Sequence, residues 1–375
     1  MKNQKIIIIG GGIIGLSIAE QLLRRGHKPV VLDKGPFAKE ASWAGAGYLD
    51  LRDAAHMGGD FLKLCRLSYD LFPHWVERMK QDSGIDPEYL LCGSLGLVFN
   101  GEEENVIKHI ESITSFNGLQ SEWLTPQAIR RKEGHLSDKL KAAWYLPQTC
   151  QVRSPRLAQA LLRVLEKGKA TLHENEEVRG FIRQGDKILG VKTSSGEIEG
   201  DQVLLAGGAW TGGLLDILGI PLPMKPIRGQ VVLFKAEPGL LRHVLFSSTA
   251  YLVPRLDGRI YVGSTQEEVG FDKSTTKEAI EKLTQGAYRA LPILEKAEVE
   301  ATWSGLRPKG VDELPSLGKI PGLENLWIAS GHFTHGILLS AGTGHLMAQA
   351  LLGEKPDLDL GSFAPDRKPV QPHLV

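Results

Sequence analysis

Cysteine is scarce in this chain. Cys65, Cys92 and Cys150 are the only three in 375 residues. They stand too far apart for a metal knuckle or a CxxC redox pair, and are too few to staple so long a chain. They read as buried or half-buried free thiols in a reducing compartment. Net charge is lacking too, since 44 basic residues balance 44 acidic ones. No global positive field is there to attract nucleic acid or an anionic membrane. No apolar run reaches the ~20 residues that span a bilayer. Lys2 and Lys5 precede an apolar stretch, as in a signal peptide, but Gly10, Gly11, Gly12 and Gly15 interrupt it and no small-residue cleavage site follows. A cytoplasmic protein without a membrane span is expected. Internal repeats and low-complexity tracts are absent from the sequence.

What is present is enough apolar content, 42%, for a large core spread over two lobes. Residues 5–9 form a β-branched run that reads as a buried parallel strand. A glycine turn follows, then a helix over about 13–25 stopped by Gly26. A second apolar strand over 29–32 closes on Asp33, completing one βαβ unit. Further on, 61–80 and 156–167 read as helices, 90–100 as strands, 102–116 as a polar-faced helix and 178–193 as a hairpin. Residues 202–206 form an apolar strand that runs into Gly207-Gly208. From 221 to 303 the pattern is alternating strands, with Asp257-Gly258 marking a tight hairpin. A short strand over 326–330 and a helix from Gly336 to about 352 complete the chain, and the proline-rich tail after Pro356 is expected on the surface. The fold class is therefore α/β. A Rossmann-type domain is assembled from 1–85, 151–218 and 304–355. An antiparallel-sheet domain from 86–150 and 219–303 is inserted in it, and 356–375 is a tail.

Gly10-Gly11-Gly12-Ile13-Ile14-Gly15 fits GxGxxG in the context that gives it meaning, a strand before and a helix after. Gly10 permits the turn, Gly12 lets a pyrophosphate approach the backbone, and Gly15 lets the helix pack closely. The helix N-terminus offers free N–H groups to phosphate. Asp33 ends the second strand, where its carboxylate meets ribose hydroxyls. This fingerprint alone leaves NAD and FAD both open. Three further stretches bear on the choice. Glu40-Ala41-Ser42-Trp43-Ala44-Gly45-Ala46-Gly47 is a run of small residues with a hydroxyl, suited to lie along a pyrophosphate and up to the edge of a flat ring. Leu204 to Trp210 is a strand ending in small residues. Gly331-His332-Phe333-Thr334-His335-Gly336 feeds a second helix N-terminus, which stabilises negative charge on a reduced flavin. A nicotinamide enzyme has no need of that last element.

In this order, these four elements resemble the glycine oxidase branch of the D-amino acid oxidase flavoproteins, the branch associated with making the thiazole ring of thiamine. The resemblance runs from about Lys5 to Leu352. Tyr251-Leu252-Val253-Pro254-Arg255, Gly305-Leu306-Arg307-Pro308 and Gly336-Ile337-Leu338-Leu339 strengthen it. It implies FAD, a small amino acid substrate, and oxidation beside the nitrogen. By position it implies that Arg307 pairs with the substrate carboxylate, aided by the Tyr251 hydroxyl. The cofactor contacts it implies are Gly10, Gly12, Ile13, Ile14, Gly15, Asp33, Lys34, Ala41, Ser42, Ala46, Gly47, Tyr48, Val178 and Gly207, together with His332, Phe333, Thr334, His335, Gly336, Ile337 and Leu338. Two positions depart from the branch: Thr334 stands where an arginine is usual, and Tyr48 where a methionine is usual. Both bear on which amine is preferred.

The chemistry expected from the resemblance is hydride loss from the α-carbon, driven by the neutral amine, with no side-chain base. The imine then hydrolyses to an oxo acid and ammonia, and oxygen or an electron carrier takes the electrons. His332 and His335 read as orienting the flavin loop rather than as bases. All three cysteines precede the substrate motifs, so FAD is expected to be non-covalent. A carrier-linked dehydrogenase, a flavin-binding subunit without turnover and an NAD-linked enzyme are the competing readings. The sequence leaves a homo-oligomer open.

Overall fold

The computed structural model describes residues 4–57, 59–102 and 119–369, so the helix expected over 102–116 lies almost wholly outside the described residues. Four consecutive isoleucines, all buried, make strand β1 (Ile6–Ile9). Helix α1 (Ile13–Arg24) and strand β2 (Val30–Leu32) follow. At the end of α1, Gly26 adopts φ +84°. Its N–H bonds to the Leu23 carbonyl, and that of His27 to the Leu22 carbonyl. These are the two bonds of a Schellman stop, which needs a residue in the left-handed region.

β1 lies between β2 and Gln202–Leu205, parallel to both. The six-stranded sheet continues to Thr171–His173 beyond β2 and to Leu326–Ser330 beyond Gln202–Leu205. Only the outermost strand, Ser316–Lys319, is antiparallel. Side chains alternate across a strand, and both faces of this sheet are covered. Ile6 and Ile8 pack with Leu16, Leu161 and Leu346 from α1 and from the helices Ser154–Lys167 and Gly336–Leu351. Ile7 and Ile9 pack with Val178, Ile188 and Val191, from a meander of Val178–Gln184, Lys187–Thr193 and Glu197–Glu199. A continuous apolar run is the pattern that such two-sided burial demands.

A second sheet has eight strands, ordered Glu298–Lys309, Lys225–Lys235, Ile260–Gly263, Tyr251–Pro254, Val244–Phe246, Ser94–Phe99, Leu140–Leu146 and Glu122–Leu124. One face carries Val232, Phe234, Leu252 and Val262 and is covered by the helix Lys277–Ala290. The other face carries Val231, Val253 and Tyr261, which pack with Ala46 of the small-residue loop. The strand Glu298–Lys309 is continuous through residues 303 and 304, so a domain boundary placed there cuts one hydrogen-bonded element.

The tail differs from expectation. Phe363 is fully buried, and the Arg367 guanidinium grips Asp312 with Nε and Nη2 at 2.9 and 2.7 Å. An apolar anchor and a buried ion pair hold part of the segment after Pro356 against the body rather than over its surface. Among the described residues, no helix is long and apolar enough to cross a membrane.

Candidate active site

The glycine turn between β1 and α1 is shaped by contacts that a side chain would prevent. Gly10 adopts φ +115°, and a Cβ there would come within 2.3 Å of the Ala206 carbonyl oxygen. A Cβ at Gly15 would fall 2.0 Å from the Gly10 carbonyl oxygen. Gly12 is different, since its Cβ would meet only the Ser42 hydroxyl, at 3.2 Å. That face of the turn is therefore open to an approaching group. Asp33 braces the turn, accepting from the Gly11 N–H at 2.8 Å and from the Gly35 N–H at 3.0 Å. Burial pushes its carboxyl above the usual carboxylate range, and those two backbone bonds oppose the shift. Ser42 accepts from the Ile13 N–H at 2.9 Å, satisfying one of the orphan donors at the start of α1.

A cleft of about 570 Å³ runs past this turn, within the range of small-molecule and cofactor sites. Gly10, Gly12, Ile13, Ile14, Asp33, Lys34, Ala41, Ser42, Val178, Gly207, His332, Phe333, Thr334, Gly336 and Ile337 all line it. Gly15 lies behind it, where it packs rather than contacts. Lys34 sits over the Trp210 ring at 3.8 Å, at the same end as Asp33.

A second cavity of about 300 Å³ adjoins the first and shares Ala41, Gly45, Arg307, Thr334 and Ile337 with it. Ala46, Gly47, Tyr48, His335 and Leu338, expected beside the cofactor, line this smaller cavity together with Tyr251. The large sheet forms its floor. Arg307 lies on the strand Glu298–Lys309, whose neighbour places Gly229 opposite Gly305. The missing side chain at 229 leaves the slot that the Arg307 guanidinium fills. There Nη1 donates to the Thr265 carbonyl at 3.0 Å and Nη2 to the Ser264 hydroxyl at 2.5 Å. Tyr251 repeats the device three strands away. It pairs with Gly263 across the ladder, and its hydroxyl lies where a Cβ at 263 would meet it at 2.7 Å. Arginine fork and phenol are thus held on one face, the arrangement that suits a planar carboxylate.

The loop over 41–47 is fastened to this floor. Tyr261 donates its hydroxyl to the Ala44 carbonyl at 2.7 Å and stacks on Tyr251 with ring centroids 6.1 Å apart. Burial, then the neighbouring Tyr251, pushes its phenol well above the usual range. Arg255 donates to the carbonyls of Ala46 and Val152, at 2.5 and 3.2 Å, and to the Gln151 side chain at 3.1 Å. Burial lowers Arg255 to about 10.

Sequence reasoning missed Tyr261, Ser264, Gly229, Phe246, Asp50 and Arg52, which all line the smaller cavity. For Tyr261 there was a signal. Two residues in from each end of the Tyr251–Gly263 pair, Val253 faces Tyr261, so the two tyrosines share a face. His332 is almost fully buried, its Nε2 3.1 Å from the Thr343 hydroxyl. Burial drives its pKa down to about 3. It is neutral at pH 7, and its contact with Thr343 ties the loop to the helix Gly336–Leu351. Phe333 beside it adopts φ +44°, a costly conformation for an aromatic residue. Thr334 contributes a neutral hydroxyl, 3.1 Å from His335 Nδ1.

A cleft along the glycine turn thus shares a wall with a smaller cavity on whose floor an arginine and a tyrosine stand together. The chain belongs to the FAD dependent oxidoreductase family, whose model matches residues 5–350. It is 35% identical to a glycine oxidase of Pseudomonas aeruginosa over 97% of this chain and 99% of that one. It is also 34% identical to a hydrogen cyanide synthase subunit of the same organism, over 100% and 98% of the two chains. The glycine oxidase structure from Geobacillus kaustophilus superposes with a TM-score of 0.92 at 31% identity, covering 97% of this chain and 99% of that one. The protein is an FAD-dependent amine or amino acid oxidoreductase.

Proposed function

We propose that this enzyme oxidatively deaminates a small amino acid, with glycine the leading candidate, to an oxo acid, ammonia and hydrogen peroxide. The observation that carries the reading is the pair Arg307 and Tyr251, each set over a glycine of a neighbouring strand and facing the wall shared with the nucleotide cleft. Gly10, Gly12 and Ser42 at the start of α1 would hold the pyrophosphate, Asp33 the ribose, and the 331–336 loop the ring. Bound non-covalently, FAD supplies the two-electron acceptor.

The protein's own part is positional. Arg307 and Tyr251 take the carboxylate and fix the amine-bearing carbon toward the shared wall. Tyr48, Phe246, Tyr251 and Tyr261 give that cavity aromatic walls, which exclude water from the amine and favour its neutral form. No carboxylate or imidazole there is needed to remove a proton from carbon. Asp50 spends its oxygens on the Arg52 N–H and the Thr149 hydroxyl, each at 2.8 Å. The imine product is a reactive C–N unit of the kind a thiazole ring takes up, and the likeness to the thiamine-linked branch supports that use.

The test is a visible spectrum of the purified protein, then anaerobic bleaching with glycine, sarcosine, D-alanine and D-proline. Peroxide formed in step with glycine consumed is the expected result. The similarity to a cyanide synthase subunit favours a second reading, in which a carrier rather than oxygen receives the electrons. Brisk dye reduction without oxygen uptake would establish it.

A further inference from the structure

The slot of Arg307 is built on an irregular stretch of the large sheet. The strand Lys225–Lys235 pairs Val231 with Gly263, and its Arg228 bridges to Glu267 through backbone bonds of 2.9 and 3.0 Å. Between these two pairs stand Gly229 and Gln230 on one side, but Ser264, Thr265 and Gln266 on the other. One extra residue makes a β-bulge, which bends the chain and re-aims its groups. Here it brings the Thr265 carbonyl and the Ser264 hydroxyl to Arg307, which donates to both. Ser264 and Gln266 line the smaller cavity. The side chains of Thr265 and Glu267 turn back onto Gln230 and Arg228.

Glu267 closes the bulge with its side chain as well as its backbone. Its Oε2 accepts from Arg228, Nε at 2.7 Å and Nη2 at 2.6 Å. Both of its oxygens accept from Gln230 Nε2, at 2.9 and 3.0 Å. Arg228 and Gln230 are 5% and 0% exposed. They flank Gly229, so strand alternation puts them on the face opposite the slot. There they are fixed in turn. Arg228 Nη1 donates to Asp272 at 2.5 Å and to the Ser274 hydroxyl at 3.1 Å, and Gln230 Oε1 accepts from the Thr276 N–H at 2.7 Å. Burial raises the Glu267 carboxyl, but the bonds from Arg228, Thr265 and Gln230 outweigh it and hold the group below its usual range.

We propose that Glu267 is a positioning residue of the carboxylate clamp: by locking the bulge it holds the two acceptors that aim the Arg307 guanidinium. A planar fork on a long, rotatable stem meets a carboxylate squarely only when its plane is fixed, and Ser264 and Thr265 fix it from behind. The inference rests on Arg307 taking the substrate carboxylate. Glu267 itself acts through Arg307 and not on the substrate.

The test compares the FAD-loaded wild type with Glu267→Ala, Glu267→Gln, Arg307→Ala and the double variant Glu267→Ala/Arg307→Ala. The probe is acetate, a carboxylate without an amine, whose Kd is read from the change it makes in the flavin spectrum. KM and kcat for glycine are measured beside it. Glu267→Ala is expected to weaken acetate and raise KM for glycine about tenfold each, the scale of a modest misplacement, with kcat changed less than about threefold. Glu267→Gln keeps the packing and one charge-free acceptor, so it should lose less, and it carries the test should Glu267→Ala not fold. The double variant should bind acetate no more weakly than Arg307→Ala alone, an outcome that mere loosening of the fold would not give. Wild-type acetate affinity in every Glu267 variant that folds, or a further tenfold loss in the double variant, would overturn the proposal. Acetate binding untouched by Arg307→Ala would instead overturn the clamp on which it rests.

Discussion

The guanidinium of Arg307 lies over Gly229 of the adjacent strand, where a Cβ would approach Nη1 to 2.2 Å. Backbone conformation does not require glycine there, since no positive φ is involved. The requirement is the arginine's space. Gly229→Ala should therefore act as a displaced arginine. The expected loss in kcat/KM for the amino acid is about 10- to 100-fold, as for a charged hydrogen bond forfeited, chiefly in KM. Flavin content should be unchanged. Steady-state kinetics with the flavin-to-protein absorbance ratio check this, and wild-type KM in the variant would refute the slot.

The glycines of the fingerprint divide into two kinds. Gly12→Ala meets only a hydroxyl at 3.2 Å, so the variant should fold but purify with little flavin. In Gly15→Ala the new methyl falls 2.0 Å from the Gly10 carbonyl oxygen, forcing α1 off the turn, and the fold itself should suffer. Circular dichroism beside flavin content separates the two. A yellow Gly12→Ala would show that no phosphate passes that face.

His332 makes the fold sensitive to acid. Burial holds its ring near 3, whereas an unfolded histidine titrates near ~6.5. Below ~6.5 the unfolded chain therefore binds a proton that the folded chain refuses. Stability from this source is full above ~6.5 and declines toward pH 3, by up to ~1.4 kcal/mol per unit. Melting temperatures between pH 7 and 5 should fall more steeply for wild type than for His332→Gln. Parallel curves would count against a neutral buried ring.

Arg367 should be worth more than its place in the tail implies. Its side chain and that of Asp312 are 12% and 2% exposed, so Arg367→Met leaves a buried carboxylate without its guanidinium. A loss of about 3–5 kcal/mol is expected, with partial recovery on adding Asp312→Asn. Thermal unfolding of the single and double variants decides it. A negligible change in the single variant would mean that the segment detaches at little cost.

The βαβ unit was legible because its signals are local. Four apolar residues, a glycine turn, a helix and a stop glycine need no distant partner to be recognised. The strand Glu298–Lys309 was not legible. Glu298, Val299 and Glu300 at its start are exposed, so no apolar alternation announces it, and only pairing with Lys225–Lys235 makes it a strand. The helix Lys277–Ala290 had a signal that went unused, since Thr276 caps it by accepting from the Ala279 N–H. In the site, Arg307 and Tyr251 were legible through motifs. Asp50 and Arg52 were not, because a charged pair after a run of small residues reads as solvated until the fold buries it.

Arg255 joins three stretches that are far apart along the chain, through the carbonyls of Ala46 and Val152 and the Gln151 side chain. The small-residue loop is made early in synthesis, yet its clasp arrives some two hundred residues later. Closure over such a separation is slow. While the ribosome is still at work, the first βαβ unit must wait with one rim unfinished. The rim that the small-residue loop lends to the cleft is therefore fastened only once residue 255 has been made.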